Sequence, residues 1–213
     1  MKLSSTSFTD GAAIPGRCAF AVMAAVDHIA LADNRNPQLS WSDAPAGTRS
    51  FVLRCIDPDA PSDPQDVNKE GHSVSAKLPR AEFVHWLMAN IPTSVDQIEE
   101  GSCSQGVTAR GKQQPTGPAG SLQGLNDYSS WFAGDADMEG RYFGYDGPCP
   151  PWNDERKHRY VFELLALDCE SLQLSPGYGA DDLQQALADH VLDHASITGT
   201  YSLNPEVARQ QTP

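Results

Sequence analysis

The chain has 213 residues, 39% of them hydrophobic, which suits one large domain able to close a real core. Against 28 acidic residues stand only 15 basic ones, a formal net charge of −13 with no basic stripe, so nucleic-acid binding and general affinity for anionic membranes are excluded. Any anion that binds must be held by a local arrangement of donors. The opening Met1–Phe8 lacks the apolar core of a secretory signal and no later run is long and apolar enough to span a bilayer, which together predict a cytoplasmic protein. The 5 cysteines, Cys18, Cys55, Cys103, Cys149 and Cys169, are odd in number and scattered, which fits reduced thiols rather than a disulfide framework or a metal finger.

In chain order, the first clear strand is Arg49 to Asp57, with Phe51, Leu53 and Cys55 on one face and Val52, Arg54 and Ile56 on the other, stopping at Asp57-Pro58. Residues 62–84 carry Asp63, Asp66, Lys69, Glu70, His72, Lys77 and Arg80 and read as a solvated excursion. A second strand spans Phe83 to Ile91, with Phe83, His85, Leu87 and Ala89 expected on one side and Val84, Trp86, Met88 and Asn90 on the other. Gly147-Pro148-Cys149-Pro150-Pro151 is a loop stiffened by proline, leading to a third strand, His158 to Asp168. Both faces of that strand are apolar, which places it mid-sheet with its first residue projecting at the sheet's end. An amphipathic helix is expected from Ala180 to His194, a closing strand from Ile197 to Leu203, and a polar frayed tail over 204–213.

Singly, each fragment is bland: Asp57-Pro58-Asp59-Ala60-Pro61 reads as a turn, His85 as a structural histidine, the proline loop as punctuation. Their ordered combination, with Tyr142-Phe143-Gly144-Tyr145-Asp146 before the loop and Gly199-Thr200-Tyr201 at the close, resembles the phosphatidylethanolamine-binding protein family, in particular its bacterial Raf kinase inhibitor-like branch. The resemblance runs from about Leu3 to Leu203 and implies one domain over 1–203: a mainly β, antiparallel Greek-key β-sandwich with peripheral helices. It also implies a preformed pocket for phosphate-like or carboxylate groups, built from Asp57, Asp59, His85, Gly147, Pro148, His158 and Tyr160, with no cofactor, no metal and no established reaction. Modulation of a kinase or protease and a homodimer are further implications of the resemblance. The excursion over 62–84 is longer than the branch's pattern and is expected to form a rim or lid.

Chemically, His85, His158, the Tyr160 hydroxyl and backbone amides near Gly147 are the expected donors for a tetrahedral anion. Asp57 and Asp59 then fix an imidazole tautomer or receive a ligand ammonium, which suits a zwitterion such as phosphoethanolamine. Binding is accordingly expected to strengthen as pH falls towards the imidazole value of about 6.5. Arg159 is expected to buttress the carboxylates from behind. Three alternatives stand beside this reading: a Cys149–His158 hydrolase, a metal enzyme using two histidines and a carboxylate, and a protein-interaction module with a vestigial pocket. His190 and His194, at helical spacing, read as a solvated helix face rather than a metal pair.

Overall fold

A computed structural model describes residues 1–209. Its strands are β1 (Lys2–Ser4), β2 (Ala21–Met23), β3 (Ile29–Leu31), β4 (Leu39–Ser42), β5 (Ser50–Pro61), β6 (Arg80–Pro92), β7 (Gln97–Ile98), β8 (Leu122–Gln123), β9 (His158–Leu167) and β10 (Val191–Tyr201). Three short helices accompany them, α1 (Tyr128–Trp131), α2 (Ala180–Ala186) and α3 (Pro205–Arg209). A five-stranded sheet, β10-β9-β5-β6-β8, faces a three-stranded sheet, β1-β4-β7, while β2 and β3 form a separate hairpin. The strand pairs within the sheets are antiparallel. The fold is mainly β with few helices, as the strand patterning predicts. No helix among the described residues is long and apolar enough to cross a membrane.

The alternation along β5 and β9 explains this layering. Phe51, Leu53, Cys55, Phe162 and Leu164 meet Leu39, Trp41 and Ile98 of the smaller sheet in one core. Val52, Leu165 and Leu167 point the other way and are covered by Leu183 and Leu187, on and just after α2. A strand apolar on both faces needs cover on both, and β9 is central for that reason.

Four boundaries differ from the sequence reading. β5 continues through Asp57-Pro58 to Pro61, because its pairing with β6 is irregular between Asp57 and Ala60 and a proline there deprives the ladder of no bond. β6 begins at Arg80, so the expected excursion closes at Pro79. The helix expected to reach His194 ends at Ala186: Asp189 takes a left-handed φ of 68°, and Val191 to His194 pair with β9 instead. β-branched and cross-strand bonding preferences there outweigh the helical spacing. In the tail, Pro205–Arg209 is helical, and the expected fraying of 210–213 lies outside the described residues.

The side assignment on β6 also changes midway. Cys55 pairs with Trp86 but Ile56 pairs with Val84, so one extra residue is accommodated at His85. That bulge turns His85 and Trp86 towards the same core, where period-two alternation separates them. The core is closed by Trp86, whose Nε1–H donates to Gln123 Oε1 at 2.7 Å.

Leu53 is fully buried between the two sheets. Leu53→Ala is expected to destabilise the chain by about 3 kcal/mol, read as a lowered denaturant midpoint with an unchanged slope.

Candidate functional site

The end of the large sheet where β9 begins carries a cluster of buried charge. His158, the first residue of β9, is 1% exposed, with its Nδ1 2.6 Å from Asp57 Oδ2 and its Nε2 3.0 Å from Asp154 Oδ2. Carboxylates accept, so both ring nitrogens donate and the imidazole is a cation. Burial alone lowers its pKa, but the hydrogen bonds and charges of Asp154 and Asp57 win and raise it to about 9. Asp154 is pushed up by burial and more strongly down by His158 and Arg80, whose guanidinium grips it at 2.5 and 3.0 Å. Its carboxyl therefore ends below the ordinary range.

Asp59, buried on the irregular stretch of β5, is held by Arg159 (Nε to Oδ2 2.8 Å, an Nη to Oδ1 3.1 Å) and by Arg156 at 3.1 Å. Burial raises its pKa, yet these bonds take it below the usual value. Its backbone N–H donates to Asp57 Oδ1 at 2.7 Å, which links the two aspartates. Arg159 thus supports the carboxylates from the outer face. The cluster sets three carboxylates, Asp57, Asp59 and Asp154, against four cations, Arg80, Arg156, His158 and Arg159. Local charge is positive in a molecule that is strongly negative overall.

Beside this cluster lies a cavity of about 490 Å³. Four of the expected site residues line it: Asp57, His85, His158 and Tyr160. Most of the wall is apolar, with Phe20, Phe83, Tyr128, Phe132 and Met138 among its residues, and Ile29 and Leu31 come from the β2–β3 hairpin. His85 is buried and its Nδ1 donates to the Asp146 carbonyl at 2.7 Å. That bond assigns the neutral tautomer with Nε2 unprotonated, and burial pushes its pKa below the usual value against the pull of nearby aspartates. The His85 and Tyr160 rings meet edge to face with centroids 5.0 Å apart. The Tyr160 hydroxyl is buried and has no hydrogen-bond partner.

Gly147, Pro148, Asp59 and His158 are placed differently from the other expected site residues. Gly147 and Pro148 do not line the cavity. The Gly147 N–H donates to Asn34 Oδ1 at 2.8 Å, its carbonyl accepts from Tyr128, and a Cβ there would lie 2.2 Å from the Cys18 carbonyl oxygen. Glycine is needed for close backbone approach, not for an anion-binding amide. Asp59 is also outside the lining, occupied by arginines. His158 lines the cavity but both of its donors are spent on carboxylates.

Other residues emerge only in three dimensions. Asp154 and Arg80 complete the ion cluster, and Asp146 anchors His85 while its own carboxylate takes bonds from Asn34, Lys112 and Asn126. Asp154 stands four positions before His158, a faint signal in an irregular segment. The 62–79 loop supplies Val67 and Asn68 to the wall and is stitched down by Asn153, which donates to the carbonyls of Asp66 (2.8 Å) and His72 (3.1 Å). It is a fastened rim rather than a free lid. Its Glu70 meets His28 of the hairpin at 2.5 Å, and His28 stacks on Trp152 at 3.7 Å.

Two alternatives weaken on this geometry. Burial pushes the Cys149 thiol up to about 12, so it is no thiolate at neutral pH. No group of three or more His, Cys, Asp or Glu ligand atoms lying within metal-binding reach of one another includes His85 or His158 among the described residues.

The His158 shift gives a definite pH signature. A folded-state pKa of about 9 against about 6.5 unfolded contributes stability fully present below 6.5 and lost as pH rises through 9. Melting temperature is therefore expected to fall between those values. Asp154→Asn, which removes the charge from a buried pair, is expected to cost about 3 kcal/mol at pH 6 and to flatten that slope; an unaltered slope would contradict the imidazolium assignment.

A family model described as phosphatidylethanolamine-binding protein matches residues 4–202. The chain is 32% identical over 202 residues to the UPF0098 protein YbhB of Escherichia coli, covering 95% of this chain and 100% of that one. It is also 32% identical over 201 residues to a UPF0098 protein of Methanothermobacter thermautotrophicus, covering 94% and 98%. Among solved structures, a putative phosphatidylethanolamine-binding protein homolog from Chlamydia trachomatis aligns with a TM-score of 0.64 at 26% identity, covering 94% of this chain and 96% of that one. Escherichia coli YbcL, at 24% identity, shares the fold with a TM-score of 0.67 over 94% and 97% of the two chains. With the family model spanning nearly the whole chain and full-length relatives at this identity, the protein belongs to the phosphatidylethanolamine-binding protein family.

Proposed function

We propose that the cavity binds a small ligand by a phosphate-like or carboxylate group seated between Tyr160 and His85, with an apolar portion against the aromatic wall. The observation that carries this reading is the Tyr160 hydroxyl, buried beside the cavity without a partner. An unsatisfied buried hydroxyl costs about 1–3 kcal/mol, which a ligand acceptor removes. Next to it, neutral His85 presents an acceptor at Nε2. A donor and an acceptor side by side match an oxyanion that still carries a proton, such as hydrogen phosphate or a phosphate monoester. The positive excess of the neighbouring ion cluster favours its remaining charge.

The oxygens of Asp59 are taken up by Arg156 and Arg159, whereas Asp57, which accepts one bond at each oxygen from His158 and the Asp59 N–H, keeps a lone pair on each and lines the cavity. For a zwitterion such as phosphoethanolamine, the carboxylates on the wall are the exposed Glu82 and the buried Asp57. The pH expectation also moves. His158 keeps its charge up to about 9 and the pKa of His85 lies below its ordinary value, so binding strengthens only as pH falls beneath about 6.5 and His85 gains a second donor.

Calorimetry with inorganic phosphate at pH 7 and pH 5.5 tests this. Tyr160→Phe, which deletes one oxygen, is expected to weaken binding about tenfold, a hydrogen bond to a charged group being worth about 1.5–3 kcal/mol. His85→Ala should remove the gain on acidification. Binding equal in wild type and Tyr160→Phe, or no binding of phosphate or acetate by the folded wild type, would refute the site. Phosphoethanolamine binding no better than phosphate would leave the oxyanion site standing and remove the ammonium role of Glu82 and Asp57.

A further inference from the structure

Three metal-ligating side chains converge at the end of the large sheet remote from the cavity. β9 begins at His158 beside the cavity and ends at Leu167, ten residues and about 30 Å away at ~3.3 Å per residue. There Leu167 pairs with Val191, and the Asp168 N–H donates to the His190 carbonyl at 3.1 Å, so the outgoing and incoming segments lie side by side. His190 Nδ1 stands 2.8 Å from Asp168 Oδ1, and a ligand atom from each of Asp168, Cys169 and His190 lies within 4.8 Å of the others. The backbone beneath them is fixed. Ser50 Oγ donates to the Cys169 carbonyl at 2.6 Å, and the His190 N–H donates to the Leu187 carbonyl at 3.1 Å. None of the three belongs to the cavity or to the buried core.

We propose that Asp168, Cys169 and His190 form a binding site for a borderline-soft divalent cation of the zinc class, with the fourth position open to solvent. The reasoning is chemical. Thiolate plus imidazole plus carboxylate is a donor set for zinc, whereas magnesium and calcium call for oxygen ligands alone. Ligand atoms around tetrahedral zinc sit about 3.5 Å apart, so side-chain rotations of about 1 Å contract the trio without moving the sheet. The cation takes an imidazole lone pair of His190, the proton shared with Asp168 moving to the other ring nitrogen, and displaces the Cys169 thiol proton, which leaves to solvent. Burial and Asp168 hold that thiol above its usual value, while Arg49, the neighbouring cation, pairs with Glu170 at 2.6 Å. Held this way, the ion would clip the end of β9 to the start of β10.

The test is a cobalt(II) titration of reduced, chelator-stripped full-length protein, with cobalt as the spectroscopic stand-in for zinc. The site predicts one equivalent bound with a thiolate-to-cobalt charge-transfer band, which zinc abolishes by displacement and excess magnesium leaves intact. Cys169→Ser should eliminate the band while Cys149→Ser keeps it. His190→Ala, at an exposed turn, should stay folded by circular dichroism and bind about tenfold or more weakly. No band in the wild type, a band surviving in Cys169→Ser, or unchanged affinity in His190→Ala overturns the proposal.

Discussion

The imidazolium of His158 between Asp57 and Asp154 is the interaction on which the cavity end of the molecule depends. It joins β9, β5 and the irregular segment before β9 through one buried cation. β5, about a hundred residues away in the chain, is thereby fixed against β9 and the segment that leads into it, and Arg80 extends the link to the start of β6 and to the 62–79 loop through the Ser75 carbonyl. A buried ion pair gains little against a well-packed apolar substitute, yet losing one partner strands the others without water. The cluster therefore enforces one arrangement more than it adds net stability.

The price of that arrangement is that His158 has no donor left for a ligand. On the proposed reading, recognition falls to Tyr160 and His85, whose rings meet edge to face beside the bulge on β6. His85 is further fixed by the Asp146 carbonyl, and Asp146 by Asn34, Lys112 and Asn126, so the acceptor at Nε2 is held by a second buried network. The two networks hold His85 and His158, both of which line the cavity, by hydrogen bonds within the protein. Pre-organisation of this kind lowers the entropy lost on binding.

Much of the fold was legible because burial on both faces leaves a strong mark. The apolar runs of β5 and β9 revealed a sheet centre, while the grouping of Asp57, His85, His158 and Tyr160 rested on the family resemblance, and the four do line one cavity. Gly147 and Pro148 lie outside the cavity lining, and at Gly147 the close approach that forbids a Cβ involves Cys18, far away in the chain, which no local pattern reveals. Asp154 and Arg80 were passed over because a charged residue in a loop looks solvated until its partner arrives. The helix after Ala180 was drawn too long because Val191 and Leu192 satisfy helical spacing as well as strand pairing, and only β9 alongside decides between them.

The chain's own pattern determined a mainly β class and the strands that would be central, since these follow from the alternation of apolar side chains, and its ordered motifs carried the resemblance to the family. Which polar groups remain free at the site was decided by tertiary structure alone. A histidine's protons and an aspartate's lone pairs are assigned by whichever partners arrive from elsewhere in the chain. The sequence lists the donors and acceptors, and folding pairs all but the few that face the cavity.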